Sequence, residues 1–295
     1  MERKPVDAIA VSVMLLLCMT WGFQQVAIKV AVEAVTPVMQ AGVRSVMATL
    51  LLIGWARVRG IDLFDRDGTL VAGTLAGTLF AVEFFFIYLG LALSAASRIV
   101  VFVNLAPCFT ALGLAIFVPK ERLGPRQWLG IVLAFFGVFL AFAEGFLNAS
   151  RVSLLGDFFG VLGGLLWGAT TVLIRASRLA GVTATKTLFY QLAVSALALP
   201  VASLALGEAG FVKLTGLAVA SIVFQGVVVA FASYLVWFWL LTRYLASRIA
   251  AFTFLSPLFG VFFGSILLSE PVSAAFAGAV ALVVIGIALV NLRRA

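Results

Sequence analysis

The chain has 295 residues, of which 64% are hydrophobic and only 11% are charged. Its 20 basic and 12 acidic side chains cannot cover the surface of a water-soluble protein of this length, so most of the exterior must face hydrocarbon. The net charge of +8 is spread as single basic residues between apolar runs, a pattern that indicates membrane topology signals. Water-soluble folds and nucleic-acid-binding proteins are thereby excluded.

Two further residue types limit the chemistry of the chain. Cys18 and Cys108 both lie inside apolar stretches, where cysteine behaves as a small buried hydrophobe. The chain contains no histidine, which removes the commonest metal ligand and the usual base of a hydrolytic triad. We therefore expect no enzyme activity, no metal site and no cofactor.

Uncharged runs predict the membrane-spanning helices, because about 20 consecutive apolar residues cross a bilayer as a helix. Eight such runs follow one another along the chain: 8–28, 99–119, 127–143, 158–174, 187–207, 214–242, 249–269 and 271–292. Two further apolar segments, 36–55 and 69–93, contain one charged residue each, Arg44 and Glu83. Since the runs lack the period-two alternation of strands, we predict an all-α membrane protein with ten transmembrane helices.

Two sequence patterns occur once in each half of the chain. A Trp-Gly pair with a basic residue eight positions after the Trp occurs at Trp21 and at Trp167. A Ser-Arg-Ile triplet, followed at matching spacings by Phe, Leu and Pro, begins at Ser97 and at Ser247. The offsets are 146 and 150 residues, so the two halves align over most of their length. We predict two five-helix repeats, 1–148 and 149–295, divided near 144–153.

The number of helices in each repeat sets their relative orientation. Five is odd, so the second repeat must enter the membrane from the side opposite to the first. One of the 20 basic residues, Arg44, lies within a predicted helix. If the N-terminus is cytoplasmic, 15 of the others lie at the cytoplasmic ends of helices. The remaining four lie on the opposite side of the membrane: Lys29, Arg98, Arg151 and Lys213. Because basic residues concentrate on the cytoplasmic side, the sequence predicts an inverted repeat with both termini in the cytoplasm.

Ten short-looped helices in two inverted halves, with Trp-Gly pairs at Trp21 and Trp167 and Ser-Arg-Ile segments at Ser97 and Ser247, resemble the EamA-type drug/metabolite transporters. The resemblance spans the whole chain. In length and aromatic richness the chain is similar to the YddG-type bacterial exporters of aromatic and other neutral amino acids. The resemblance implies an inner-membrane protein whose first, third, fourth, sixth, eighth and ninth helices enclose a central cavity that opens to alternate sides.

Polar and aromatic residues at helical spacing are candidates for the wall of that cavity. Trp21 and Gln24 share one face of the first helix, and Trp167 and Thr171 are placed similarly in the sixth. An unsatisfied amide costs several kcal/mol in hydrocarbon, so Gln24 must face protein or water. We predict that these residues contact the substrate. Interhelical hydrogen bonding is the alternative.

Three further aromatic residues, Tyr88, Tyr234 and Trp237, are also predicted to bind substrate. Their rings can enclose an apolar side chain, and their polar edges can donate hydrogen bonds. Because Trp and Tyr also accumulate at membrane interfaces, an interfacial position is the alternative.

Glu83 is the only acidic residue near the middle of an apolar span. An ionised carboxylate is expensive there, which indicates a proton-exchange site or a counter-charge for a substrate ammonium group. The alternative is a structural role as the partner of Arg44. Arg44 itself lies nearer the outer end of its helix, where snorkelling or pairing is expected in place of substrate binding.

Two prolines at matched positions, Pro107 and Pro257, are predicted to act as hinges, with Gly260 allowing close helix approach. A proline removes one backbone hydrogen bond and bends the helix, which frees carbonyl groups to line a cavity. Asn104, one turn before Pro107, is predicted to contact the substrate. A static kink is the alternative for each proline.

Together with this resemblance, these residues predict a secondary transporter that exports amino acids, aromatic and other neutral ones, by alternating access, and that works as a monomer in the lipid bilayer. A multidrug or other metabolite exporter is an alternative and would depend on Glu83 for binding cations. A nucleotide-sugar-type carrier would need convergent basic residues, which the sequence does not clearly offer. A channel or scaffold would show no saturable uptake and no counterflow.

Overall fold

The computed structural model describes residues 4–94, 96–141, 143, 151–268 and 275–292. In these residues the secondary structure is helical, apart from two isolated bridges, Lys4 with Tyr244 and Val35 with Phe211. The α-helices in chain order are α1 (Ala8–Ala31), α2 (Pro37–Val58), α3 (Leu70–Leu93), α4 (Ala96–Val103), α5 (Ala106–Phe117), α6 (Pro125–Ala141), α7 (Arg151–Ala176), α8 (Ala184–Ala205), α9 (Gly216–Val223), α10 (Tyr234–Arg243), α11 (Ala246–Ala250), α12 (Leu255–Leu268) and α13 (Ala275–Asn291). The all-α prediction is confirmed for this part of the chain.

Several helices are joined by tighter or wider helical turns. Short 3-10 helices cover Pro119–Glu121, Arg178–Gly181 and Ala251–Phe254, and a π-helix covers Phe224–Ser233. The interruption between α4 and α5 comes just before Pro107, and the one between α11 and α12 just before Pro257. Proline lacks an N–H and its ring clashes with the preceding turn, which accounts for both breaks. The predicted hinge motion at these breaks stays a prediction.

Eight helical segments among the described residues are long and apolar enough to cross a membrane: Ala8–Ile28, Pro37–Val58, Leu70–Gly90, Ile99–Phe117, Val152–Ala176, Ala184–Ala205, Gly216–Arg243 and Ala246–Leu267. Two shorter apolar helices, Pro125–Leu140 and Phe276–Asn291, fall below the roughly 20 residues of a typical crossing. The chain is thus a multi-pass helical membrane protein. The ten-helix count and the two repeats stay predictions, and the predicted boundary at 144–153 lies mostly outside the described residues.

The helices of the two halves pack against each other in matched pairs. Helix α1 packs against α12, and its sequence counterpart α7 packs against α4 and α5. Helix α3 packs against α7, while α9 and the π-helix pack against α1. Helices α2 and α8 pair with each other, as do α6 and α13. If each helix is replaced by its sequence counterpart in the other half, the main helix–helix contacts are the same, and α1 and α7 take part in most of them.

The glycine of each Trp-Gly pair lets α1 and α7 approach their partners closely. A Cβ atom on Gly22 would lie 2.6 Å from the Cβ of Phe259 and 2.8 Å from the backbone N of Gly260. A Cβ atom on Gly168 would lie 2.7 Å from the Cβ of Phe109. Real Cβ atoms do not approach so closely, so glycine is required at both contacts. The neighbouring tryptophans are thereby held where helices of both halves meet.

Backbone hydrogen bonds close each end of the helical bundle. At the end that contains the N-terminus, here called the near end, the backbone N–H of Lys4 donates to the carbonyl of Arg243 at 3.0 Å. At the opposite end, the far end, the backbone N–H of Thr36 donates to the carbonyl of Gly210 at 2.9 Å. Each bond joins the first half to the second.

A loop at the near end carries a salt bridge that predicts a pH dependence of stability. Asp67 accepts hydrogen bonds from the Lys186 ammonium group at 2.8 Å and from the backbone N–H of Thr69 at 3.0 Å. The bond from Lys186, followed by those from Thr69, lowers the pKa of Asp67 to about 2. Because this pKa lies below the unfolded value of 3.8, the stabilisation is present above about pH 4 and is lost as the pH falls towards about 2.

We expect Asp67→Asn to lower the Tm of the detergent-solubilised protein at neutral pH, and to flatten the decline in Tm between about pH 4 and pH 2. Thermal scanning of both proteins across this range measures the difference. Asp62→Asn, which changes an exposed acid in the same loop, is the matched control. Parallel Tm profiles for wild type and Asp67→Asn would contradict the expected role of this carboxylate.

Candidate functional site

A cavity of about 160 Å³ lies at the centre of the bundle. Its volume is close to that of an engineered protein cavity, about 150 Å³, that accepts benzene. Its wall includes all nine residues that the sequence predicts to bind substrate: Trp21, Gln24, Glu83, Tyr88, Asn104, Trp167, Thr171, Tyr234 and Trp237. The first, third, fourth, sixth, eighth and ninth predicted helices all contribute to it. The structure thus brings these side chains together, and their role in binding substrate stays a prediction.

Aromatic rings form one part of the wall around Trp21. The centroid of the Trp21 ring lies 6.5 Å from Trp167, 6.4 Å from Tyr234 and 5.8 Å from Trp237, each in an edge-to-face arrangement. These separations and orientations are favourable for aromatic pairs. The indole N–H of Trp21 donates to the Ser233 hydroxyl at 2.9 Å. The cluster therefore offers a ligand a rigid apolar surface, and the polar edge of Trp21 is already bonded within the protein.

Several polar residues of the wall have their donors occupied by their own helices. Each donates to a carbonyl four residues earlier: Thr170 at 2.8 Å, Thr171 at 3.2 Å and Asn104 at 2.8 Å. Such bonds satisfy a hydroxyl or amide inside a membrane helix. The two threonines consequently offer a ligand only acceptor positions, whereas the Asn104 amide keeps a second N–H as well as its oxygen.

Other polar atoms of the wall are buried without a hydrogen-bond partner in the described structure. They are Glu83 Oε2, the Tyr88 hydroxyl, Gln191 Oε1 and the Ser256 hydroxyl. A buried polar atom without a partner costs about 1–3 kcal/mol, which a polar ligand would relieve. These four atoms are the best placed in the wall to contact the polar groups of a ligand.

Gln191 and Ser256 are wall residues that were not predicted as site residues. Gln191 is completely buried in α8, and its amide donates to the Thr187 carbonyl at 3.4 Å. A glutamine inside an uncharged run is the same signal that identified Gln24, so the sequence contained the necessary information. Ser256 directly precedes Pro257, and its position beside a helix break was its only signal.

Arg44 is buried directly behind the wall, so of the two outcomes expected from the sequence, snorkelling or pairing, snorkelling is wrong. Only 1% of its surface is exposed, and its Cζ atom lies 4.1 Å from the ring centroid of Phe84. Within the described residues, Arg44 Nε and Nη1 find no hydrogen-bond acceptor. The guanidinium interacts electrostatically with Tyr234, Tyr88 and Glu83, which all line the cavity. A cavity-facing ring and several polar groups hold this cation away from lipid.

Of the three predicted hinge residues, Pro257 lines the cavity, and Pro107 and Gly260 lie at helix contacts. Pro257 is part of the wall, Pro107 is buried at the start of α5, and Gly260 packs against Gly22. All three lie where helices of different halves meet. Their part in opening and closing the cavity stays a prediction.

A buried ion pair lies at the near end of the bundle. Arg175, at the end of α7, pairs with Glu121, whose other carboxylate oxygen accepts the backbone N–H of Ala246 at 2.9 Å. The side chains of Arg175 and Glu121 are 6% and 2% exposed. Glu121 thereby joins the first half of the chain to the end of α7 and to the start of α11, which both lie in the second half.

The fold and the central cavity define a multi-pass helical membrane protein with a pocket of small-molecule size. The chain belongs to the EamA-like transporter family, whose model matches residues 8–143 and again residues 154–292. It is therefore a membrane transporter, and the names of its relatives indicate transport and not catalysis.

Individual relatives support the same assignment. A probable amino-acid metabolite efflux pump of Escherichia coli strain K12 is 28% identical over 277 residues, covering 90% of this chain and 89% of that protein. An uncharacterised transporter of Archaeoglobus fulgidus is 28% identical over 262 residues, covering 87% of this chain and 89% of that protein. A solved crystal structure that is 19% identical covers 96% of both chains with a TM-score of 0.81, which shows the shared fold.

Proposed function

We propose that this protein exports amino acids, aromatic and other neutral ones, by alternating access through the central cavity. The observation that carries the proposal is the wall itself, where an aromatic cluster around Trp21 adjoins polar atoms that have no hydrogen-bond partner among the described residues. An amino acid with an apolar side chain needs both surfaces. The similarity to an amino-acid metabolite efflux pump of Escherichia coli supports this substrate class.

The proposed architecture has ten spans in two inverted repeats, 1–148 and 149–295. Three observations support it: the recurring Trp-Gly and Ser-Arg-Ile patterns, the exchangeable packing pattern, and the two separate matches to the family model. The excess of basic residues at one set of helix ends supports cytoplasmic termini in a bacterial inner membrane. The cavity lies within one chain, which supports a monomer as the working unit.

Alternating access requires each end of the cavity to close in turn. We propose that the buried pair of Glu121 and Arg175 holds the near end closed in one of the two conformations. Helix breaks at Pro107 and Pro257 allow the segments beyond them to change direction, while Gly22 and Gly168 keep the two halves in contact. We propose that the halves rock about these central contacts and expose the cavity first to one side and then to the other.

Export of cationic drugs is the second candidate function, and it is favoured by one observation. Glu83 lies in the cavity wall with a carboxylate oxygen that lacks a hydrogen-bond partner in the described residues. A carboxylate in a pocket of low polarity attracts an organic cation. Arg44 behind the same wall opposes this, because a positive charge at that depth repels a cation.

Counterflow in proteoliposomes tests the proposed function. Vesicles containing the purified protein and unlabelled phenylalanine are expected to accumulate external labelled phenylalanine transiently, because a carrier exchanges substrate across the membrane. Vesicles without protein, and vesicles preloaded with a cationic drug or a nucleotide sugar, are the controls. A flux that does not saturate and shows no counterflow would indicate a channel. Counterflow with the drug or the nucleotide sugar, but not with phenylalanine, would show that the substrate is not an amino acid.

A further inference from the structure

We propose that Arg44 and Glu83 form a charge-balanced pair that selects zwitterions, with the substrate carboxylate held at Tyr88 in front of Arg44 and the ammonium group held at Glu83. The proposal rests on the proposed function, since it specifies how an amino acid would lie in the same cavity. Arg44 acts through the wall as a positioning residue. Tyr88 and Glu83 are the groups that would touch the substrate.

The carboxylate position follows from the surroundings of Arg44. Its guanidinium is 1% exposed, stacks on Phe84 and interacts electrostatically with the cavity residues Tyr88 and Tyr234. The Tyr88 hydroxyl is buried and lacks a hydrogen-bond partner in the part of the chain that the structure describes. A hydroxyl with a cation behind it is a suitable donor to a carboxylate, because the charge of the cation strengthens the bond in a site of low dielectric.

The ammonium position follows from Glu83. Its side chain lines the cavity from α3, in which Glu83 lies five positions before Tyr88. Among the residues that the structure describes, Glu83 Oε2 has no hydrogen-bond partner, and no hydrogen bond from Arg44 Nε or Nη1 reaches it. The two charges therefore balance each other through space, and each keeps hydrogen-bonding capacity. The ammonium and carboxylate of an α-amino acid are only a few ångströms apart, and Glu83 and Tyr88 both line the same cavity.

The aromatic cluster fixes where the substrate side chain would lie. Tyr234 interacts with Arg44 on one side and packs edge-to-face against Trp21 on the other, with ring centroids 6.4 Å apart. Phe80 also packs against Tyr234 at 6.0 Å. The charged pair and the aromatic surface are thus adjacent. An amino acid with its charges at Tyr88 and Glu83 would direct its side chain towards Trp21.

Charge balance supplies the selectivity. With Arg44 protonated and Glu83 ionised, the site contains one positive and one negative side chain, so a bound zwitterion leaves its net charge at zero. A ligand with only an ammonium group would pair with Glu83 and leave Arg44 uncompensated in a low-dielectric site, which is unfavourable. A ligand with only a carboxylate would leave Glu83 uncompensated for the same reason.

One other charged group acts on Tyr88 electrostatically, namely Glu208 near the far end. Its carboxylate accepts hydrogen bonds from the Thr36 hydroxyl at 2.9 Å, from the Ser203 hydroxyl at 2.6 Å and from the backbone N–H of Met39 at 3.2 Å. Because its oxygens are bonded at the start of α2, Glu208 is already compensated. It leaves the balance between Arg44 and Glu83 unchanged.

Equilibrium binding to the purified protein, measured by isothermal titration calorimetry, tests the selectivity separately from transport. The probes are phenylalanine, 2-phenylethylamine, which lacks the carboxylate, and 3-phenylpropionate, which lacks the ammonium group. Wild type is expected to bind phenylalanine about tenfold or more tightly than either analogue. Arg44→Met is expected to shift the ratio towards 2-phenylethylamine by about tenfold or more, and Glu83→Gln to shift it equally towards 3-phenylpropionate.

The controls separate charge from folding. Arg44→Lys keeps the charge and should keep the wild-type ranking, and Asp62→Asn removes an exposed acid and should change nothing. Folding of each variant is checked by its Tm and elution volume, and Glu83→Gln carries the test if Arg44→Met does not fold. Wild-type binding without preference for phenylalanine, or unchanged ratios in Glu83→Gln, would overturn the charge-pair proposal. Binding with the expected ratios but without counterflow would overturn only the proposed function.

Discussion

Replacing Gly22 by valine is expected to abolish counterflow and to lower the Tm of the protein, since even the first carbon of a side chain would lie 2.8 Å from the backbone of Gly260. Backbone atoms of a packed helix cannot move aside cheaply, so α1 and α12 must separate. Overpacking of this kind costs about 1–3 kcal/mol, and it would also displace Trp21 from its ring contacts in the cavity wall. We expect initial counterflow rates to fall more than about tenfold.

Gly54→Val is the matched control, because no atom of the described structure lies within 4 Å of a Cβ placed there. Gly168→Val should reproduce the defect of Gly22→Val, since its added Cβ would meet Phe109 at 2.7 Å. Tm and counterflow are measured on all three variants in the same lipid. Wild-type values for Gly22→Val would show that α1 and α12 do not pack as described.

Replacing Glu121 by glutamine is expected to be the most destabilising single substitution at the near end. It leaves the buried guanidinium of Arg175 without its counter-charge, a change that typically costs about 3–5 kcal/mol. It also weakens the acceptor that receives the backbone N–H of Ala246. We expect a lower Tm and a weakened closure of the near end, seen as faster reaction of a cysteine introduced at Ala246 with a membrane-impermeant maleimide.

A second variant distinguishes the loss of the ion pair from damage to the site. Glu121→Leu combined with Arg175→Met removes both charges and should recover much of the lost stability, because a buried pair can often be replaced by apolar residues without penalty. Glu33→Gln, which changes an exposed acid near the far end, is the control. An unchanged Tm in Glu121→Gln would mean that the pair with Arg175 contributes little to the fold.

Much of the cavity wall could be predicted from the sequence because hydrocarbon imposes a strong rule on polar groups. Gln24 and Asn104 lie inside apolar runs, and membrane helices place such residues towards protein or water. Trp21 and Trp167 followed from the Trp-Gly repeat, whereas Tyr88, Tyr234 and Trp237 were predicted from the ability of their rings to enclose an apolar side chain. Gln191 obeys the same rule and could have been predicted in the same way.

The charged residues show where this kind of reasoning fails. The position of Arg44 in its helix suggested that its side chain would extend towards the membrane surface, yet it is buried against Phe84. Glu121 and Arg175 are 54 positions apart in the sequence, and nothing in the local pattern of either residue indicates that they pair. Long charged side chains have many rotamers, so their partners depend on which helices lie within reach.

The sequence by itself determined that the chain spans a membrane with apolar helices, that its two halves carry related patterns, and which polar side chains must turn away from lipid. These properties follow from the free energy of transferring each residue between water and hydrocarbon. That free energy depends on the type of residue and not on its position in the chain. Only the tertiary structure decided which buried polar atoms have partners, that Arg44 is buried against Phe84, and that Glu121 pairs with Arg175 at the near end. Those features depend on distances between helices that are remote in the chain, and packing of the whole bundle sets these distances.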